Sequence, residues 1–268
     1  MPRSAAVTIG ERDPVRTPAR ARAALSKVPE ITAWFWVIKV LTTGMGETAS
    51  DWLAHTLAPP VAVGLGAIAL IASLALQFAA RRYVAWIYWL AVVMVSVFGT
   101  MAADVLHVGL GIPYAISTPA FAIVLAVVLT VWHACERTLS IHTITTPRRE
   151  FFYWATVLST FALGTAAGDL TASTLGWGYL ASGVVFAIAI TGPWLAHRRF
   201  GLGAVPAFWI AYVITRPLGA SFADWMGVST VRSGLGWGTG PVTLGWLAAI
   251  VALVAYLGIT RKDAPEAS

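Results

Sequence analysis

"WATVLSTFALGTAAGD", residues 154–169, lies in a stretch that reads as a membrane-crossing helix, yet it ends in a carboxylate. A charge at membrane depth is costly, so Asp169 needs a reason. The same frame recurs three more times. Trp36–Gly46–Asp51, Trp89–Gly99–Asp104, Trp154–Gly164–Asp169 and Trp209–Gly219–Asp224 all read W-x9-G-x4-D, with no insertion or deletion. Only six Asp occur in the chain, so four matches at three positions mark an internal repeat.

Composition agrees with a membrane setting. Of 268 residues, 58% are hydrophobic and 11% charged, where a soluble domain has about 25% charged. The lone cysteine, Cys135, excludes a disulfide framework or a cysteine metal site. Eight segments are long and apolar enough to cross a bilayer, at about 31–50, 59–79, 84–103, 117–134, 151–168, 178–196, 203–222 and 239–259.

The connecting segments alternate in charge. "ARRY", "CERTLSIHTITTPRRE", "HRRFG" and "TRKDAPEAS" are basic, while the others begin at the repeated Asp. Of 18 Lys and Arg, 15 lie in the basic set or the N-terminal tail; Lys39 and Arg216 lie inside helices, and Arg232 lies on the opposite side. The positive-inside bias then places both termini in the cytoplasm, and eight spans agree, since an even number returns the chain to its starting side. The net charge of +6 therefore reflects topology, and no nucleic-acid partner is expected. Residues 1–29 read as a flexible basic tail without a signal peptide's apolar core; a surface helix around "PARARAALSKV" is the alternative. Residues 263–268 read as a second tail.

The expected fold is an all-α integral membrane protein. Its domain, 30–262, holds four two-helix repeats at about 30–80, 81–135, 148–198 and 201–260. Two spans per unit give every repeat the same orientation, hence parallel repeats about an axis normal to the membrane. The even helices carry no Asp, Glu, Lys or Arg, so they suit an outer shell; the odd helices carry the polar residues and should lie inside.

The four tryptophan-bearing two-helix units resemble a bacterial family of uncharacterised membrane-anchored proteins built from a repeat of unknown function. "KVPEITAWFWVIKVLTTGMGETASDWL" is similar to that family's opening, and the likeness covers about residues 27–262. It implies a multi-pass protein of the bacterial inner membrane and no activity.

Function must come from residues. Every acid beyond the basic side belongs to a repeat: Asp51, Asp104, Asp169, Asp224 and Glu47, one turn before Asp51. A ring of like-oriented helices would bring the four Asp together as cation ligands or proton carriers, with Lys39 and Arg216 as counter-charges. Oxygen ligands suit Mg, Mn or Ca, and His55 and His107 could add a nitrogen for Mn or Zn. The bland alternatives are Asp caps or Asp–Lys/Arg pairs. Gly46, Gly99, Gly164 and Gly219 read as close-packing positions; Trp36, Trp89, Trp154 and Trp209 read as interface or packing residues.

The leading expectation is a transporter for a small cation, with a divalent metal ion as candidate, proton exchange as a coupling and export as the favoured direction. No cofactor is required beyond such an ion, and the partners are the lipid bilayer and the cation or proton. The other readings are a non-transporting scaffold or sensor partner, and a carrier of a small anionic or organic solute held by Lys39 and Arg216. An enzyme is not expected: the chain has no phosphate-cradling loop, no H-E-x-x-H and no G-x-S-x-G. Oligomeric state is not legible.

Overall fold

Local chemistry sets the helix boundaries. The computed structural model describes residues 26–264, and all regular structure among them is helical. Thr32 caps α1 (Ala33–Thr56), its hydroxyl accepting the otherwise orphaned N–H of Phe35. Pro59 and Pro147 stand at the starts of α2 (Pro59–Ala79) and α5 (Pro147–Asp169), where a missing N–H costs nothing. The other helices are α3 (Ala85–Asp104), α4 (Tyr114–Glu136), α6 (Tyr179–Ala189), α7 (Thr191–Phe200), α8 (Ala204–Gly227) and α9 (Thr239–Thr260). α7 ends at Gly201, whose φ of 71° is the left-handed cap that glycine adopts without penalty.

Five stretches are long and apolar enough to cross a membrane: α2, α3 extended to His107, α4, the run Tyr179–Phe200 spanning α6 and α7, and α9. The chain is a multi-pass membrane protein. α1, α5 and α8 are as long, at 24, 23 and 24 residues, but carry buried charge: Lys39 and Glu47, Glu150, and Arg216 and Asp224.

Each of α1, α3, α5 and α8 bears one W-x9-G-x4-D unit. They pack side by side in a closed square, α1 on α3, α3 on α5, α5 on α8 and α8 back on α1. The remaining helices clad it in one rotational sense: α2 lies on α3, α4 on α5, α6 with α7 on α8, and α9 on α1. Each repeat thus covers the inner helix of the next, and the fourth covers the first. The cladding shows its aliphatic side chains outward; Ile71, Ile123 and Ile188 are each about two-thirds exposed. With hydrocarbon as solvent that exposure is free.

The repeated glycines make the inner contacts. A Cβ at Gly46 would overlap Ser96, one at Gly99 Phe161, one at Gly164 Arg216 and one at Gly219 Thr43. In every case the obstacle stands three residues before the glycine of the next repeat, so one contact is repeated around the square. Helix backbones touch there because there is no side chain between them.

The repeated tryptophans close a second ring in the same sense. Each follows an aromatic residue that packs on the next repeat's Trp: Phe35 on Trp89 at 5.7 Å between ring centroids, Tyr88 on Trp154 at 5.7 Å, Tyr153 on Trp209 at 6.2 Å and Phe208 on Trp36 at 5.6 Å. Trp89, Trp154 and Trp209 are buried and Trp36 half-buried.

Three boundaries differ from expectation. α1 and α8 run past Asp51 and Asp224 to Thr56 and Gly227, whereas α3 and α5 end at Asp104 and Asp169 and continue as π-helical turns, Val105–Gly109 and Leu170–Thr174. Residues 26–29, expected in the tail, are packed: Val28 is buried and the Lys27 ammonium pairs with buried Glu150 at 2.6 Å. Asp263, expected in the other tail, is buried and accepts a hydrogen bond from the Tyr83 phenol. An ion pair and apolar burial hold these segments where hydropathy gives no signal. The remainder of both expected tails, with the "PARARAALSKV" segment up to Ala24 and Leu25, lies outside the described residues.

Candidate functional site: an axial column of five tiers

Counting in fours from the residue before each Trp gives one stripe per inner helix, since residues four apart share a helix face. Across the square these stripes make five tiers, each about 6 Å below the last. Phe35, Tyr88, Tyr153 and Phe208 form the first. Lys39, Val92, Val157 and Tyr212 form the second, then Thr43, Ser96, Phe161 and Arg216, then Glu47, Thr100, Thr165 and Ala220. The four Asp form the fifth. All sixteen residues of the first four tiers are buried. In the fifth, Asp224 is buried and Asp51, Asp104 and Asp169 are half-buried.

The aromatic tier closes one end. The Tyr88 and Tyr153 hydroxyls share a hydrogen bond of 2.5 Å, and the Phe35 and Phe208 rings lie 6.0 Å apart. Below it, the Lys39 amine has no hydrogen-bond partner among the described residues and is fully buried. It rests on two ring faces, 4.0 Å from the Phe161 centroid and 4.3 Å from that of Tyr212. Ring quadrupoles offset part of the desolvation, about 2 kcal/mol for a buried cation. The Arg216 guanidinium lies 5.0 Å from the same Phe161 ring, so two cations share one aromatic side chain.

Arg216 then locks the fourth tier. It donates to Glu47 Oε2 at 2.8 Å, to Thr165 Oγ1 at 2.8 Å, to Thr100 Oγ1, and to the Thr43 carbonyl at 2.8 Å. Thr100 and Thr165 also donate to Glu47 Oε2, each at 3.4 Å. The fourth repeat's Arg216 thus engages the residue after the repeated glycine in each of the other three, Glu47, Thr100 and Thr165. Such a pair is costly to bury and costlier to break, about 3–5 kcal/mol when one partner is removed.

The Asp tier has neither of its bland explanations. No Asp of the quartet forms an ion pair among the described residues, and Arg216 pairs with Glu47 instead. Asp104 and Asp169 precede their π-helical turns without capping them. Asp104 accepts from Ser50 Oγ at 3.1 Å, across a repeat boundary. The π turns directly after two of the four Asp are backbone irregularities of a kind that clusters at functional sites.

Among the described residues, no three His, Cys, Asp or Glu side chains come together as a group able to hold a metal ion. Spacing along a helix fixes the depth of Asp51, Asp104, Asp169 and Asp224 but not how near the axis their oxygens stand. The histidines are engaged locally: His55 Nδ1 meets the Asp51 carbonyl at 2.6 Å, and His107 contacts the Ile112 carbonyl and Ser117 and stacks on Tyr114.

Two parts of the column were missed from sequence. The aromatic residue before each Trp was legible as a fourfold [FY]-W dipeptide. The Lys39–Phe161–Tyr212 stack had no signal, because it joins three repeats through residues of different type. At the basic end, outside the column, burial raises the Asp263 carboxyl above its ordinary value against the opposing Tyr83 hydrogen bond. Burial first, then the Asp263 charge, pushes the Tyr83 phenol up.

No curated protein and no solved structure matches this chain. A family model described as Repeat of Unknown Function (DUF347) matches residues 34–83, 87–138, 152–201 and 207–263, one match for each tryptophan–glycine–aspartate unit. Since those four matches cover most of the molecule and coincide with the four quarters of the square, the chain belongs to that family of repeat proteins.

Proposed function

We propose that this protein is a carrier in the bacterial inner membrane that moves a small cation along the axis of its four repeats. All four inner helices cross the bilayer in this reading; α1, α5 and α8, at about 35 Å each, have the length to do so. With the cladding that makes eight crossings, both termini in the cytoplasm and the Asp tier toward the outside. The observation that carries the reading is an unpaired Asp quartet one tier beyond the buried Arg216–Glu47 lock. Four acids in a mouth concentrate cations. Glu47, freed from Arg216, is the next carboxylate inward, and release of that pair is the gating step.

Carboxylate and hydroxyl oxygens suit hard ions, so Mg, Mn or Ca is the candidate class, held partly hydrated at the mouth. Proton exchange is the coupling we favour, with export as the direction. Growth of a deletion strain across a panel of metals and pH values tests this. Wild type should restore tolerance and the four Asp→Asn variants should not; equal growth of all strains would refute it. Cys135, exposed at the end of α4 near the basic loops, tests orientation. An impermeant thiol reagent should label it only after cells are permeabilised.

The unpartnered Lys39 amine favours a second reading, a small anionic solute held by Lys39 and Arg216. In that case Lys39→Gln fails first and the Asp→Asn variants keep transport.

A further inference from the structure

On the outside of the square, α3 and α9 border a groove of about 730 Å³ that plays no part in the axial column. Its floor is aliphatic, with Val93 on α3 and Ile250 and Val254 on α9. Arg82, just before α3, and Arg261, just after α9, both line it, as does Trp86. Both arginines are exposed and neither pairs with a carboxylate among the described residues. The acid lining the groove, Asp263, is turned to the Tyr83 phenol. Arg81 and Lys262 add positive charge on either side.

We propose that this groove is a binding site for one anionic phospholipid, its phosphate between Arg82 and Arg261 and an acyl chain along the aliphatic floor. The occupant follows from the lining of the groove. An apolar channel on a membrane protein's lateral face takes hydrocarbon. Basic residues at its interfacial end select phosphate-bearing headgroups without a compensating cation. Arginine supplies the bidentate fork that phosphate geometry matches. Trp86, 55% exposed, sits where an amphipathic ring meets the headgroup layer. Arg261 holds a left-handed backbone, φ 54°, at the helix cap that Gly201 fills after α7, so an arginine stands where glycine would be easier. The proposal needs only a membrane setting and is independent of what the axis transports.

The test is native mass spectrometry of the full chain, delipidated in detergent and titrated with phosphatidylglycerol or phosphatidylcholine. Wild type should retain one phosphatidylglycerol in preference to phosphatidylcholine. Arg82→Gln with Arg261→Gln should cut that preference about thirtyfold, as two interfacial arginines imply. Gly258→Trp should abolish retention of either lipid: Gly258 lines the groove and a Cβ there meets nothing within 4 Å, so a bulky side chain can compete for the groove without clashing with the fold. Unchanged circular dichroism and size-exclusion elution establish that both variants are folded. Equal retention of the two lipids, or a preference that survives the double arginine change, overturns the proposal. So does displacement of bound lipid by soluble glycerol phosphate, which would assign a phosphate site without a role for the acyl groove.

Discussion

The first tier of the column holds Phe35, Tyr88, Tyr153 and Phe208; the fifth, sixteen residues along each helix, holds Asp51, Asp104, Asp169 and Asp224. Both come from the same four repeats, with the same residue class in every repeat, yet their energetics are opposite. The aromatic tier is buried and closed by ring contacts that run once around the square. The Asp tier is mostly half-buried and without ion pairs. The tiers between them break the symmetry, with Lys39, Arg216 and Glu47 each present in one repeat only. Fourfold repetition builds the frame and the Asp tier, and the exceptions to it build the lock. The aromatic end should therefore respond to mutation in stability and the Asp end in transport.

The largest effect expected is at the lock. Glu47→Gln or Arg216→Met alone leaves one buried charge without its partner and should destabilise by about 3–5 kcal/mol. The double variant should recover most of that loss, as measured by thermal unfolding in detergent. Phe35→Ala, at the opposite end, should cost a similar ~3–5 kcal/mol by opening the ring. If Phe35→Ala is harmless, the contrast between the ends is lost.

Gly46→Ala and Gly164→Ala should cost about 1–3 kcal/mol each by forcing the square apart. Gly245→Ala, on α9 with open space around it, should not destabilise. Gly164→Ala carries a second consequence, since its methyl group meets Arg216 and should loosen the lock as well as the packing.

Lys39→Met sharpens the comparison from within. It removes an ammonium buried without a hydrogen bond while keeping most of its volume. Stability should hold or rise, because the desolvation cost disappears, and cation transport should persist; loss of transport would favour the anion reading. Loss of stability would mean that the cation–π contacts outweigh desolvation.

The smallest effect lies outside the membrane. The Asp263 carboxyl is raised in the folded state, so the fold holds its proton more tightly than the unfolded chain does. Its contribution is full below the ordinary carboxylate pKa and fades as pH rises through the raised value. Asp263→Asn should flatten that part of the stability–pH curve by less than the changes at the lock.

The frame was legible in the sequence because its elements repeat. W-x9-G-x4-D placed the tryptophans, the glycine contacts and the Asp at common depths, and the charge-free helices announced the cladding. Which neighbour each glycine meets was not legible, because repeat order along the chain does not give the rotational sense of packing. Arg216 was read as a counter-charge, but its partner, Glu47, lies 169 positions away and on another repeat. Thr100 and Thr165 could be aligned with Glu47 by counting from the glycine, but not shown to share one arginine with it. Lys27 and Val28 gave no periodic signal and were assigned to a tail, although an ion pair with Glu150 holds them in the bundle.

The central claim is that the Asp tier is the outer mouth of a cation path. Mn²⁺ flux into proteoliposomes under an imposed pH gradient tests it most directly, with wild type beside the quadruple Asp51→Asn, Asp104→Asn, Asp169→Asn, Asp224→Asn variant. These four near-isosteric changes should leave the protein folded, as unchanged size-exclusion elution would show, and reduce flux to that of protein-free vesicles. Wild-type flux from the quadruple variant would contradict the account.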